Sequence, residues 1–239
     1  MRTLRRSISK AEVGGEPLPP AFAAFERAGI ILRRAEITMI AGTPGAGKSS
    51  VALAIAARAK VPTLYFSADT NAHTMAMRLV AMSGRMTQTA AEQLLKREPN
   101  QAEEILTLNN HLFWSFESTP TLKDLDDEVS AFETVWGRSP TLIVVDNLMD
   151  IAMDGHFEGY PCQPRSAIQG LVNQIPAMVL TIGQMKQADE TYLCVAPVKN
   201  RYGRADQTGN NYVSLAFNPD SMYLDDVQVK YAQEAMYGN

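Results

Sequence analysis

The chain reads as an α/β domain: a mostly parallel sheet flanked by helices, with antiparallel strands at its C-terminal edge. Three observations predict this. Short apolar runs of strand type alternate with helical segments from Glu36 to Asp146. A glycine-rich turn, Gly42 to Ser49, stands between one such run and a helix that is apolar almost all round. After Gly183 the pattern changes to short strands parted by turns, at Tyr192–Val198, Tyr212–Phe217 and Met222–Leu224. Strand–helix alternation calls for parallel strands joined by crossover helices, and a terminal run of strands supplies antiparallel pairs at one edge.

Residues 1–20 combine Arg2, Arg5, Arg6 and Lys10 with Gly14-Gly15 and three prolines, the composition of a basic flexible arm. A compact domain is therefore expected over 21–226, with 227–239 as a C-terminal tail. Within it, Ala21–Ile31 suits a short helix and Glu36–Ala41 a strand. Ser49–Lys60 suits a helix buried against a sheet. "VPTLYFS" (Val61–Ser67) is the next strand and Asn71–Met82 the next helix. Residues 88–110 are helical in pattern and broken near Pro99; "HLFWSF" (His111–Phe116) reads as a strand. Leu122–Trp136 is an acidic amphipathic helix, and "TLIVVD" (Thr141–Asp146) is the clearest buried strand. An irregular Gly- and Pro-rich stretch and a short helix then lead to "AMVLTIG" (Ala177–Gly183). No internal repeat is visible.

With 239 residues, 46% hydrophobic and 20% charged, the chain has the composition of an ordinary globular protein. A net charge of −4 argues against a broadly basic nucleic-acid coat and leaves room for local basic loops. Cys162 and Cys194 have no metal spacing, and His73, His111 and His156 are scattered, so no zinc site is expected. No stretch has signal-peptide or membrane-span character, so a cytoplasmic protein without a membrane partner is the expectation.

"GTPGAGKSS" follows the G-x-x-x-x-G-K-[ST] pattern. Its glycines let successive backbone N–H groups turn inward onto phosphate oxygens, and the next helix adds the positive end of its dipole. Gly42, Thr43, Pro44, Gly45, Ala46, Gly47, Lys48, Ser49 and Ser50 are the expected nucleotide-binding residues. Lys48 reaches the terminal phosphates and Ser49 places its hydroxyl on Mg²⁺. No Asn-Lys-x-Asp or Thr-Lys-x-Asp motif reads guanine, which favours ATP. Asp146, at the end of a strand, suits the other Mg²⁺ position, since strand ends are where open α/β sheets hold ligands. Asn147 follows it where many ATPases carry a water-activating glutamate. Asp69, after "TLYF", is a candidate for that task; on its chemistry alone a turn or helix-cap role, shared with Thr70 and Asn71, fits better.

"GTPGAGKSS", "LYFSAD" before a Met-rich helix, "LIVVDNL" and "VKNRYGRADQTG" together resemble the ATPase domain of DnaB-like replicative helicases, particularly phage versions. The resemblance covers about Ala35 to Leu224. It implies a RecA-like fold, a six-membered ring around single-stranded DNA, and ATP bound between neighbouring subunits. In that family a glutamate after the second strand is catalytic, and Asp69, one methylene shorter, fills its place. Lys199 and Arg201 map onto the basic pair that acts on the neighbour's γ-phosphate. The implied partners are single-stranded DNA, further copies of the chain and other replication proteins, with Arg165 and Lys186 as the candidate DNA contacts.

The chain departs from the family in two places. Only the basic arm stands where the bacterial helicases carry a primase-binding domain. Only 18 residues, Asn147 to Pro164, separate Asp146 from the stretch resembling "PRSAIQG", where the family has a helix and a core strand ending in a polar sensor. Either Ala177–Gly183 takes that strand's place with Gln184 as sensor, or the strand is absent and leaves a gap beside the phosphate-loop strand. The leading expectation is an ATP-hydrolysing DNA helicase. A non-catalytic nucleotide-binding accessory, such as a loader or recombination ATPase, is the alternative. A small-molecule kinase is disfavoured because no Arg-rich helical lid is visible.

Overall fold

A computed structural model of the protein describes residues 15–151 and 176–227. In chain order it contains α1 (Ala23–Arg27), β1 (Thr38–Ala41), α2 (Lys48–Ala59), β2 (Thr63–Ser67) and α3 (Ala72–Gly84). α4 (Gln88–Arg97), α5 (Pro99–Thr107), β3 (Leu112–Ser115), α6 (Leu122–Trp136) and β4 (Leu142–Asp146) follow. The C-terminal strands are β5 (Met178–Gln187), β6 (Glu190–Asn200), β7 (Val213–Asn218) and β8 (Tyr223–Asp226). Pro99 sits in the first turn of α5, where its missing N–H costs nothing, so the break expected there separates two helices. The Gly- and Pro-rich stretch and the short helix expected after β4 fall mainly outside the described residues.

The strands form two sheets. β3-β2-β4 is wholly parallel, and β1-β5-β6-β7-β8 is parallel only between β1 and β5. β5 to β8 are antiparallel, as the strand-rich end predicts. α2 packs on both β1 and β4 and joins the two sheets from one side. It contributes Val51, Leu53, Ala54, Ile55, Ala56 and Ala57 to a single core with Tyr65, Leu180, Leu193 and Leu215. Small alanines on this helix allow the close approach to the sheets.

Among the described residues no strand lies between β4 and β1. β5 pairs with β1 on one side and β6 on the other and never meets β4, so Ala177–Gly183 does not take the missing core strand's position. The consequence is visible in burial. β2, with a neighbour on each side, is buried at all five positions, whereas every residue of β1 is only partly buried. "TLIVVD", expected as the most buried strand, is corrected likewise: only Asp146 is buried, and Ile143 is 47% exposed. An apolar run alone does not distinguish a central strand from one with an open edge.

The arm expected over 1–20 is also corrected at its C-terminal end. Pro17 bridges Arg33, the Leu18 amide donates to Leu32 at 2.8 Å, and the Leu18 side chain is buried. The domain therefore includes residues from Gly15 onward, because the apolar Leu18 has core to enter.

Candidate nucleotide site

The glycine-rich turn leaves β1 at Ala41 and enters α2 at Lys48. Gly47 has φ 95° and Gly45 φ 75°, left-handed conformations that glycine alone adopts without strain. Gly42 is required for space: a Cβ there would stand 2.7 Å from the Ile182 carbonyl oxygen. Residues 42–45 are exposed and Ala46 is buried, so the crest of the turn faces solvent while its base is anchored. Lys48 Nζ donates to the carbonyls of Gly42 and Thr43 at 3.0 and 2.9 Å and so lies back across the turn. Gln184, expected as a sensor, does reach this turn, donating to the Gly45 carbonyl at 2.8 Å from β5. The strand that carries it pairs with β1 and β6, not with β4.

Asp146 meets the turn from the other sheet. Ser49 Oγ donates to its Oδ1 at 3.1 Å, and the Tyr65 hydroxyl donates to its Oδ2 at 2.9 Å. Burial pushes the Asp146 carboxyl above its ordinary value, while the bonds from Tyr65 and Ser49 oppose that shift. Burial, followed by the Asp146 charge, holds the Tyr65 phenol well above its usual value. Ser49 and Asp146 offer a hydroxyl and a carboxylate, the hard oxygen donors that suit Mg²⁺. No group of three or more His, Cys, Asp and Glu side chains could hold a metal among the described residues.

Asp69 stands exposed just past β2, close enough for its charge to act on Asp146 and Tyr65. The competing cap role belongs to Asn71, whose Oδ1 accepts from the Thr74 amide at 2.9 Å at the start of α3. Asp69 accepts only from Thr70 Oγ1 among the hydrogen bonds described, at 2.8 Å. Two further side chains belong to the site and escape a motif-based reading. Tyr65 looks like one more core aromatic in "TLYF", and Arg78 like a surface charge on α3. Arg78 acts electrostatically on both Tyr65 and Asp146, and its Nε is buried without a hydrogen-bond partner among the described residues. The signal for each was a polar group inside an otherwise apolar run.

Lys199 and Arg201 lie elsewhere. β6 runs antiparallel to β5, so Asn200 stands opposite Met178, which pairs with Thr38 at the start of β1. The phosphate turn follows Ala41 at the other end of that strand, about 10 Å further along at 3.3 Å per residue. Arg201 meets Glu36 at 3.3 Å, and the Tyr202 hydroxyl donates to the same carboxylate. Lys186 is exposed on the β5–β6 hairpin, two residues beyond Gln184 and hence on the same strand face. Arg165 lies outside the described residues.

Comparison with known proteins bears on the family and the fold. The model of the DnaB-like helicase C-terminal domain matches residues 18–191. A solved structure described as an ATPase domain superposes with a TM-score of 0.68 at 13% identity, covering 94% of this chain and 96% of that one. A DnaB-like replicative helicase, solved with attention to its interactions with primase, superposes with a TM-score of 0.64 at 12% identity over 94% of this chain and 67% of its own. These likenesses establish the RecA-like fold. The Gene 65 protein of Mycobacterium phage L5 is 29% identical over 269 aligned residues, covering 95% of this chain and 99% of that protein. With a family match across residues 18–191 and the fold in agreement, the chain belongs to the DnaB-like helicase C-terminal domain family.

Proposed function

We propose that the protein is an ATP-hydrolysing DNA helicase subunit that acts on single-stranded DNA in phage replication and assembles as a homo-oligomeric ring. One observation carries the reading: the phosphate turn follows the end of β1, whereas the Lys199/Arg201 pair lies level with its start. In a single copy Arg201 is instead paired with Glu36, beside the start of β1. A head-to-tail contact between copies would bring the turn and the pair together, and such contacts close into rings.

In this reading the loop amides and Lys48 bind the ATP phosphates, and Ser49 and Asp146 hold Mg²⁺. Mg²⁺ bound there would neutralise charge on the phosphate oxygens. Asp69 orients the attacking water and accepts its proton. Gln184, tied to Gly45, links the phosphate turn to β5. Lys199 and Arg201 of the adjacent copy offset the charge that develops at the γ-phosphate. Arg165 and Lys186 are the proposed contacts to DNA phosphates. No described helix is long and apolar enough to cross a membrane.

The test is ATP hydrolysis with and without single-stranded DNA, with assembly size measured in the same samples. Turnover stimulated by DNA, in an oligomer, and reduced at least a hundredfold in Lys48→Ala, is the expected result. A monomer at every concentration, with and without ATP, contradicts it. The aspartate at position 69, one methylene shorter than the family's glutamate, favours one other reading, a nucleotide-binding accessory. Tight ATP binding with no turnover in any DNA condition would select that reading instead.

A further inference from the structure

Tyr65 lies in the middle of β2 and is fully buried, where a phenylalanine would pack as well. A buried tyrosine hydroxyl needs a partner, and here it is Asp146 Oδ2 at 2.9 Å. In the parallel register Tyr65 stands opposite Val144 and Ser67 opposite Asp146, so the phenol reaches two residues along the strand direction to the carboxylate. Its ring is held against Trp114 with centroids 4.8 Å apart, and Trp114 stacks on Phe116. The hydroxyl is thus presented by a packed aromatic row rather than by a mobile side chain.

Asp146 belongs to β3-β2-β4, whereas Ser49 follows the strand β1 of the other sheet. Among the described residues no strand ladder fixes the position of β4 relative to β1. We propose that Tyr65 is a positioning residue which, from the neighbouring strand of the same sheet, holds the Asp146 carboxylate in the rotamer that faces Ser49. The inference rests on the reading of Ser49 and Asp146 as the Mg²⁺-holding pair.

The experiment measures binding of fluorescent ADP to the full chain as Mg²⁺ is titrated, for the unaltered protein, Tyr65→Phe and Asp146→Asn. Tyr65→Phe keeps the ring and removes only the hydroxyl. Its affinity for ADP without metal is expected to stay within about twofold, while the Mg²⁺ concentration at half-effect rises about tenfold, the loss expected for one hydrogen bond to a charged group. Asp146→Asn is expected to abolish the Mg²⁺ dependence. An unchanged Mg²⁺ midpoint in Tyr65→Phe, with the dependence lost in Asp146→Asn, overturns the proposal and leaves the Mg²⁺ assignment standing. Mg²⁺ dependence that persists in Asp146→Asn overturns the assignment and the proposal with it. Should Tyr65→Phe not fold, ring-labelled tyrosine in the unaltered chain gives the same decision by NMR. The Tyr65 ring signal moves when Mg²⁺ is added to the ADP-bound protein if the proposal holds, and stays fixed if it does not.

Discussion

His111, just before β3, donates from Nε2 to the Ala56 carbonyl of α2 at 3.1 Å. Burial lowers its pKa below the ordinary 6.5, an effect that the bond to Ala56 only partly offsets. The unfolded chain therefore takes up the proton at a higher pH than the folded one. Stability from this residue is fully present above about pH 6.5 and is lost as pH falls toward the lower folded value. Thermal unfolding across pH 5 to 8 is expected to show that loss, and His111→Gln to flatten it. The same scale explains why Asp69 is free of capping duty: the adjacent helix is capped by an asparagine two positions later. Three neighbouring residues with cap chemistry made that choice illegible in sequence, since only the backbone angles of Asn71 decide it.

Among the elements, α1 has five residues and no cap from its own N-cap residue, Phe22. Its first amides are satisfied from the far end of the chain. Asp226 in β8 accepts from Ala23 N at 2.9 Å and Ala24 N at 2.7 Å. A carboxylate at a helix N-terminus also complements the dipole. Asp226→Ala is expected to cost about 1 kcal/mol, the usual worth of a cap, read as a lower denaturant midpoint. α1 holds Ala24 and Phe25 in the core beside Phe22, whose ring carries the Arg58 guanidinium on its face, so its loosening would also remove one of the contacts that hold Arg58. The helix was legible from its apolar spacing. Its cap was not, because the two partners are separated by 202 and 203 positions.

For the whole molecule the decisive fact is that the phosphate turn follows the end of β1 while the basic pair lies level with its start. If they serve one another only between copies, two inactive variants should repair each other. Lys48→Ala keeps Arg201, and Arg201→Ala keeps Lys48, so a mixture contains interfaces at which both are intact. ATPase activity of the mixture is expected to exceed that of either variant alone by at least tenfold; activity equal to the average of the two would show that each copy works alone.

Local chemistry made the phosphate turn, the order of elements and the change from parallel to antiparallel strands readable from residues alone. Glycine at 42, 45 and 47 and the periods of apolar residues act over a few positions, and their meaning does not depend on distant partners. Tertiary structure alone decided that β5 joins β1 and not β4, that the strand ending in Asp146 pairs with β2 alone among the described residues, and that Tyr65 bonds to that carboxylate. Strand pairing is a choice among distant segments with similar apolar patterns, and the energy that selects one partner comes from packing both faces at once, here through α2 lying across the two sheets.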